Sequence, residues 1–471
     1  MCFSFSRLAV ILAILLIPIT IAHYKISLFM PKMNADSMLD SLVTLRPNDQ
    51  TTDTGDINVK DIPLALYIHI PWCVKKCPYC DFNSHELPMD HTLSMYEAYV
   101  DALLLDAGMQ RSLAQGRKIG SIFIGGGTPS LLPIAQYQRL FTGLRTCFEF
   151  TEDIEVTMEA NPGTLEHAPF AQYLEVGINR LSIGVQSFAA DKLKVLGRIH
   201  DPVQALSAIR AAKAAGFARV NVDLMHGLPQ QTMNEALADI QMAHEAGATH
   251  ISWYQLTIEP NTVFYRSQPI LPDEDNLADI EQAGQALLQQ LGYCNYEVSA
   301  WAGASDKPCR HNINYWQFGD YLAIGAGAHG KVTIGRNESN GGDSSEVKNK
   351  TEDDLLVASG IYRFSKSRLP KDYMGSNVVD RSDVNQHAPK VVGWQAIDED
   401  ELVSEFMLNA LRLHGGVAWS LFTERTGLTL EGIAEQVDSL VEQGLLVDSD
   451  TTLQPTVLGQ RYLNQILRAF L

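Results

Sequence analysis

The sequence predicts an α/β protein whose main domain is an open or partial barrel of six βα units, followed by a small helical domain. Short apolar runs rich in β-branched residues recur along residues 64–256 and alternate with longer amphipathic runs. From the second strand onward, each strand-to-strand repeat takes about 25 to 40 residues, as a βαβ crossover requires. Six units favour a partial barrel over a complete eightfold one, and functional groups then gather at the carboxyl ends of the strands.

The predicted elements of the barrel follow from these runs. The six strands are Leu64–Ile70, Ser121–Ile124, Ile154–Met158, Arg180–Gly184, Arg219–Leu224 and His250–Leu256. The clearest helices are Leu93–Gln110, Ile134–Phe148, Pro202–Ala215 and Met233–Ala246. Strands that alternate with helices in this way are typical of a parallel α/β array.

The C-terminal part of the chain shows a different order of elements. Helical patterns surround a short hairpin, in the order Leu402–Leu413, Trp419–Thr426, Leu430–Gln443, the hairpin Leu445–Val447 with Thr451–Thr456, and Leu458–Phe470. This order suggests a winged-helix-like domain. From Asp398 to the end there are 12 acidic and 4 basic residues, so binding to nucleic-acid phosphates is disfavoured.

The remaining segments complete the predicted domain organisation. We divide the chain into a disordered or apolar leader (1–60), a barrel (61–300), a linking segment (301–395) and the C-terminal domain (396–471). Within the linking segment, Gly335–Asp354 is rich in Gly, Ser, Asn and charge, which indicates a solvated surface insertion.

The leader contains an apolar run, Leu8–Ala22, that follows Arg7. Three interpretations stay open, namely translated upstream sequence without a role, a membrane anchor and a targeting peptide. No small-x-small cleavage site follows the run. We expect a cytoplasmic protein, with membrane association through the leader left open.

The composition narrows the kind of partner that the chain binds. Its 471 residues carry a formal net charge of −19, and the isoelectric point is about 5.1. Nucleic acids and anionic lipid surfaces are polyanions that this charge repels. A small or neutral ligand fits better, and no nucleic-acid partner is expected.

Three of the seven cysteines carry the first chemical signal. Cys73, Cys77 and Cys80 fall within eight residues directly after the first predicted strand, in the spacing C-x3-C-x2-C. Three thiolates in one loop are typical of a [4Fe–4S] cluster whose fourth iron has no protein ligand. In radical SAM proteins that open iron is chelated by the amino and carboxylate groups of S-adenosylmethionine (SAM). We therefore predict a [4Fe–4S] cluster and SAM as cofactors.

A structural zinc loop is the alternative interpretation of these cysteines. Zinc requires a fourth Cys or His at suitable spacing. The sequence offers only the distant candidates His69 and His85, so the cluster is preferred.

Three residues after the second predicted strand suggest close approach to a ligand. Gly126, Gly127 and Thr128 stand where backbone can come near the cofactor and offer N–H groups to it. Alone, a triple glycine is equally consistent with a tight turn. Next to a cluster, we interpret these residues as SAM contacts.

Polar residues also stand at or near the ends of the next three strands. They are Glu159, Gln186 and Asp223. A single polar residue at a strand end is more often a satisfied cap than a ligand. Its recurrence at three successive strands favours one shared binding site.

Seven motifs together resemble one known family. They are LYIHIPWCVKKCPYCDFNSH, IFIGGGTPS, EANPG, RLSIGVQSF, LGRIH, DLMHGLP and SWYQLTIEPNT, and the similarity runs from about Leu64 to Leu471. The chain resembles the HemN/HemW family of radical SAM proteins, which contains the oxygen-independent coproporphyrinogen III oxidases. The resemblance implies that the SAM site is lined by Tyr67, Gly126, Gly127, Thr128, Glu159, Gln186, Arg198 and Asp223. It also implies that Arg198 pairs with a carboxylate of the cofactor.

Two branches of this family differ just after the third cysteine. The true oxidases carry C-x3-C-x2-C-x-C, whereas this chain has Phe82 in place of the fourth cysteine. That departure and the segment HNINYW resemble the HemW branch, whose members bind heme and deliver it to hemoproteins. We expect His311 to offer its imidazole to the heme iron, and Tyr315 and Trp316 to offer aromatic faces to the macrocycle. A helix in which HNxxYW only packs is the alternative.

The leading hypothesis is a cytoplasmic heme chaperone with cluster, SAM and heme as cofactors. Its partners are heme and acceptor hemoproteins, including membrane-associated ones, and a homodimer is left open. The alternative from the enzyme class is a coproporphyrinogen III oxidase of porphyrin biosynthesis, which Phe82 disfavours. Whether the chain is an enzyme of another kind is not decided by its sequence. A regulator that binds DNA through the winged helix is disfavoured by charge.

Overall fold

The computed structural model describes residues 57–164, 169–335, 359–375 and 391–471. The apolar run Leu8–Ala22 and nearly all of the insertion Gly335–Asp354 lie outside these residues. None of the helices in the described ranges is long and apolar enough to cross a membrane.

One large sheet of twelve strands organises the described residues. In chain order its strands are β1 (Leu64–Ile70), β2 (Ile119–Gly126), β3 (Phe150–Ala160), β4 (Arg180–Gln186), β5 (Arg219–His226), β6 (His250–Gln255), β7 (Tyr293–Glu297), β8 (Ala300–Gly303), β9 (Asp320–Ile324), β10 (His329–Ile334), β11 (Gly360–Lys366) and β12 (Val391–Ala396). Their spatial order is β12-β11-β10-β9-β1-β2-β3-β4-β5-β6-β8-β7.

Strand direction confirms the predicted α/β class. The six predicted strands are β1 to β6, which lie side by side in chain order and are all parallel. They form the (β/α)6 partial barrel. A seventh parallel strand, β9, pairs with β1 on its other side and was not predicted. The outer strands β10 to β12, and β7 with β8, are antiparallel. The described parts of segment 301–395 thus add strands to the same sheet, besides two short helices.

Helices connect these strands, and most of them pack on one face of the sheet. In chain order they are α1 (Leu93–Met109), α2 (Ile134–Cys147), α3 (Phe170–Glu175), α4 (Ala190–Val195), α5 (Pro202–Ala214), α6 (Met233–Ala246), α7 (Val263–Ser267) and α8 (Glu274–Gln290). Alternate apolar residues of the strands, such as Leu66, Ile68 and Ile122, join the helices in the main core. Because side chains alternate along a strand, the intervening polar residues face the barrel interior.

The remaining helices lie at the base of the barrel, beside the carboxyl end of β9 and in the C-terminal domain. They are α9 (Arg310–Trp316), α10 (Pro370–Tyr373), α11 (Glu399–Ala410), α12 (Trp419–Thr426), α13 (Ala434–Glu442), α14 (Val457–Arg461) and α15 (Leu463–Arg468). The last predicted helix is therefore two short helices that meet at Tyr462. The predicted wing is present as a bridge between Leu446 and Pro455, and Thr452–Leu453 also pairs with Val417–Ala418.

Candidate functional site

A pocket lies at the carboxyl ends of β1 to β5. It encloses about 800 Å³ of empty space, counting the part that is open to solvent. Ten of the residues predicted for the cluster and SAM line it: Cys73, Cys77, Cys80, Gly126, Gly127, Thr128, Glu159, Gln186, Arg198 and Asp223. The strand ends that the sequence places far apart along the chain therefore meet at one site.

The cysteine loop follows β1 and folds back on itself. The N–H of Cys80 donates to the carbonyl of Cys77 over 3.1 Å. Lys76 ties the loop to the next segment, because its Nζ donates to the carbonyls of Phe82 and Ser84 over 3.0 and 3.2 Å. These contacts hold the loop through its backbone and through Lys76.

The three thiols suit a cubane better than a single metal ion. In the part of the chain that the structure describes, no group of three or more His, Cys, Asp or Glu converges on one metal position. Each thiolate of a cubane binds a different iron, so such convergence is not required. Burial raises the pKa of Cys80 to about 12, although Ser84 and Lys76 lower it, so a bound cation is needed to hold the thiolate at neutral pH.

The backbone N–H groups of the glycine turn after β2 donate hydrogen bonds within the protein. The N–H of Gly126 donates to Glu159 Oε2, that of Gly127 to the carbonyl of Ile70, and that of Thr128 to the carbonyl of Trp72. All three N–H groups therefore have acceptors within the protein. The three residues line the pocket, and their contact with SAM stays a prediction.

The glycines themselves are required by the protein rather than by a ligand. A Cβ on Gly127 would lie 2.5 Å from the carbonyl oxygen of Trp72, which is backbone and cannot move aside. Gly126 has φ +116°, and a Cβ there would lie 2.5 Å from the ring of His69. The turn packs directly against the segment that carries the cysteines, and this contact positions the cysteine loop over the barrel.

Two half-buried carboxyl groups, on β3 and β5, face the pocket. Glu159 accepts the N–H of Gly126 over 3.1 Å. Burial and the nearby charge of Asp223 raise the pKa of Glu159 to about 8. Burial also raises the pKa of Asp223, although Ser182 and Asn221 donate to its two oxygens over 3.0 and 2.8 Å. Such a pair favours a cationic or hydrogen-bond-donating ligand, and the amino group of SAM has that character.

Gln186 marks the end of β4 with an unusual backbone. Its φ is +72°, a left-handed conformation that costs strain for a residue with a side chain. Its Oε1 accepts a hydrogen bond from the hydroxyl of Tyr254 over 2.8 Å. This backbone conformation changes the direction of the chain at the end of β4. Gln186 and Tyr254 both line the pocket there.

Tyr67 is the one predicted SAM residue that does not line this pocket. Its hydroxyl lies 3.0 Å from Nδ1 of His69, and its ring is stacked 6.4 Å from that of Phe123, measured between ring centroids. It therefore lies deeper in the barrel. Its direct contact with SAM stays a prediction that this geometry does not support.

The predicted heme ligand lies at the opposite end of the barrel. His311 belongs to α9, whose first residue bonds the carbonyls of Gly120 and Asp153 near the amino ends of β2 and β3. The ring is 3% exposed and is stacked 4.9 Å from the ring of Phe123. Neither ring nitrogen has a hydrogen-bond partner among the described residues. Burial, assisted by the charge of Arg180, lowers the pKa of His311 to about 3, so the imidazole is neutral.

The two aromatic residues of the same segment are packed into the protein. The ring of Tyr315 lies 4.2 Å from that of Tyr321, and the guanidinium of Arg412 lies 4.3 Å from the ring of Trp316. Both side chains belong to the core that joins the barrel to the C-terminal domain. Tyr315 and Trp316 are thus buried in this structure. The contact of the HNxxYW segment with heme stays a prediction.

Several pocket residues were not predicted from the sequence. Tyr79, Ser182, Tyr254 and Phe82 all line the pocket. The signal for Tyr254 was present, since His250, Ser252 and Tyr254 alternate along a predicted strand and so share its inner face. Ser182 alternates with Gly184 in the same way. Tyr79 lies between two of the cluster cysteines, and its role was overlooked there.

Comparison with known proteins identifies the family. The model of the Radical SAM superfamily matches residues 67–243, and that of the HemN C-terminal domain matches residues 397–462. The chain is 44% identical over 414 residues to the heme chaperone HemW of Haemophilus influenzae, covering 87% of this chain and 98% of the relative. The chain belongs to the HemW family. A second member, HemW of Escherichia coli, is 44% identical over 415 residues, which cover 88% of this chain and 99% of that protein.

A solved structure supports the fold. The coproporphyrinogen III oxidase HemN of Escherichia coli, described as a radical SAM enzyme, matches with a TM-score of 0.69 and 22% identity over 93% of each chain. This likeness confirms the predicted radical SAM α/β architecture with a C-terminal helical domain. The resemblance to the HemN/HemW family is confirmed, and within it the chain belongs with HemW and not with the oxidase branch.

Proposed function

We propose that this chain binds heme and transfers it to apo-hemoproteins, while a [4Fe–4S] cluster in its barrel binds SAM. The observation that carries the proposal is the 44% identity to a protein named heme chaperone HemW over 98% of that relative's length. The barrel and the C-terminal domain are both included in this match, so the similarity extends beyond the cofactor motifs alone.

The pocket supports the cofactor part of the proposal. Cys73, Cys77 and Cys80 would each hold one iron, and the residues at the strand ends would hold SAM on the fourth. When bound, the cluster would supply an iron without a protein ligand, and the amino and carboxylate groups of SAM would coordinate this iron. The carboxyl groups of Glu159 and Asp223 would accept hydrogen bonds from the cofactor's donors, and Arg198 has N–H groups left that would pair with its carboxylate.

Phe82 favours a heme-chaperone function over oxidation of coproporphyrinogen. It lines the cofactor pocket at the position where the oxidases carry a fourth cysteine, so an apolar ring replaces a thiol beside the cofactor. Oxidation of coproporphyrinogen is therefore not expected. Acceptor hemoproteins, including those at membranes, are the partners that the proposal implies.

The imidazole of His311, the predicted heme ligand, is buried in this structure. The imidazole is neutral and has no hydrogen-bond partner among the described residues, as an iron ligand requires, but it lies buried between α9 and the barrel strands. We infer that heme reaches this residue only if α9 moves away from β1 and β2.

Anaerobic assays on the cluster-loaded chain test the proposal. Hemin titration followed at the Soret band should saturate, and incubation with coproporphyrinogen, SAM and a reductant should yield no protoporphyrinogen. His311→Ala should alter the heme spectrum with full iron and sulfide content, while the exposed His91→Ala should not change it. Turnover of coproporphyrinogen, or absence of heme binding, would contradict the chaperone function. An unaltered heme spectrum in His311→Ala would exclude this ligand alone.

A further inference from the structure

The guanidinium of Arg198 lies between the cysteine loop and the barrel, and it makes contacts there besides the predicted pairing with SAM. Its Nη1 donates to the sulfur of Cys77 over 3.5 Å, and its Nη2 donates to the carbonyl of Gly184 over 2.5 Å. The guanidinium thus links one predicted ligand of the cluster to the end of β4.

The turn that carries Arg198 is held firmly against the cysteine loop. The N–H of Arg198 donates to the carbonyl of Leu193 over 2.9 Å. Gly197 has φ +66°, and a Cβ on it would lie 2.7 Å from Cδ of Pro78, which follows Cys77. The imidazole of His200, two residues further on, lies 3.2 Å from the carbonyl of Val185. The guanidinium is therefore placed by packing on both sides.

A guanidinium has enough donors for two tasks at once. It carries five N–H groups, and the contacts to Cys77 and Gly184 use two of them. Nε is buried and has no hydrogen-bond partner among the described residues. Donors thus remain for a cofactor carboxylate while the contact to sulfur is kept.

The same contact has an electrostatic consequence for a cluster. Reduction adds one negative charge to a centre that already carries three thiolates. A fixed cation and an N–H···S bond stabilise the more negative state, and hydrogen bonds to the sulfurs are among the factors that set cluster potentials. Since the guanidinium stays charged at any working pH, its effect is permanent.

We propose that Arg198 is a positioning residue that raises the reduction potential of the cluster through its contact with the sulfur of Cys77. The inference rests on the proposed cluster site but not on heme binding. It separates a redox role from the pairing with SAM, because the N–H groups that contact Cys77 and Gly184 are not the donors that remain for a cofactor carboxylate.

Redox titration of the reconstituted full-length chain, monitored by electron paramagnetic resonance without SAM or heme, tests the proposal. Arg198→Gln should shift the reduction equilibrium about tenfold toward the oxidised cluster, which is about 59 mV to more negative potential for a one-electron couple. Arg198→Lys, which keeps the charge, should shift it less. Arg210→Gln, which removes an exposed charge on α5, should leave the potential unchanged. A fully loaded Arg198→Gln chain with the wild-type potential would overturn the inference.

A second measurement uses the wild-type chain, so it does not require a variant that takes up the cluster. In reduced wild-type chain labelled with ¹⁵N-arginine, electron–nuclear double resonance should detect a ¹⁵N coupling to the cluster. Arg198 is the arginine that lines the pocket in the described part of the chain. Absence of that coupling overturns the inference even where Arg198→Gln takes up no cluster. A wild-type chain that binds no cluster would instead overturn the proposed cofactor site, and the inference with it.

Discussion

The backbone N–H of Gly126 donates to Oε2 of Glu159 over 3.1 Å, which joins the ends of β2 and β3 inside the cofactor pocket. This bond favours the charged carboxylate. Burial and the charge of Asp223 act against it more strongly and raise the pKa of Glu159 to about 8. At neutral pH, without a cationic ligand beside it, Glu159 is therefore mostly protonated.

Glu159 makes stability depend on pH in a defined direction. Its ordinary pKa is 4.5, so between about pH 5 and pH 8 the folded chain holds a proton that the unfolded chain has lost. The free energy of unfolding should fall as pH rises through this window, by at most about 1.4 kcal/mol per pH unit from this group. Glu159→Gln should remove that contribution, whereas Glu152→Gln, an exposed position on the same strand, should not. Urea unfolding at several pH values checks it, and identical pH profiles for wild type and Glu159→Gln would contradict it.

A methyl group on the glycine turn should destabilise the fold. In Gly127→Ala the new Cβ meets backbone of Trp72 at 2.5 Å, so the strand or the cysteine loop must shift. We expect a loss of about 1–3 kcal/mol, the usual cost of overpacking. Gly108→Ala is the matched control, because it lies in α1 with nothing within 4 Å and should stabilise the chain by up to about 1 kcal/mol. Equal unfolding free energies for the two variants would show that the turn is not tightly packed.

Each cluster cysteine should be indispensable. Cys73→Ala, Cys77→Ala or Cys80→Ala removes one of three thiolates that the barrel provides, and no further Cys lines the pocket among the described residues. Reconstitution should then give far less than four irons and four sulfides per chain. Cys294→Ala, at an exposed cysteine on β7, should load like the wild type. Full iron and sulfide content in any of the three variants would refute the cluster assignment.

The sequence predicted the barrel well because its strands carry local signals. Runs of β-branched residues at βαβ spacing identified β1 to β6, and their order follows from short right-handed connections. The strand β9 was missed because Asp320–Ile324 pairs in parallel with β1, some 250 residues earlier in the chain. Such a partnership is set by tertiary packing, which no local pattern reveals.

The same dependence on tertiary packing explains why some site residues were predicted from the sequence while the contacts of others were not. Strand-end residues such as Asp223 were found because parallel strands must end at one edge. The partners of the Gly126 and Gly127 N–H groups depend on how the cysteine loop packs, and this is not encoded nearby. The burial of Trp316 depends on the C-terminal domain, whose docking the sequence does not specify.

The boundary of the folded region can be tested by truncation. The structure describes the chain from Ile57, and both Val59 and Ile62 are buried. Removing residues 1–56 should leave cluster uptake and the melting temperature unchanged, because every site residue lies later. Removing residues 1–62 should lower stability, since each fully buried aliphatic side chain contributes about 1.5–3 kcal/mol. Equal melting temperatures for the two truncations would place the start of the fold later than Val59.

Transfer of heme to an acceptor tests the central claim most directly. The cluster-loaded chain is charged with hemin, freed of excess by gel filtration, and mixed under anaerobic conditions with an apo-hemoprotein of distinct Soret absorption. If the chain transfers heme, the Soret absorption of the heme-bound acceptor should increase while that of this chain decreases. The increase should be faster than when the same amount of hemin is supplied on serum albumin. Heme that stays on the chain, or that reaches the acceptor no faster than from albumin, would contradict the account.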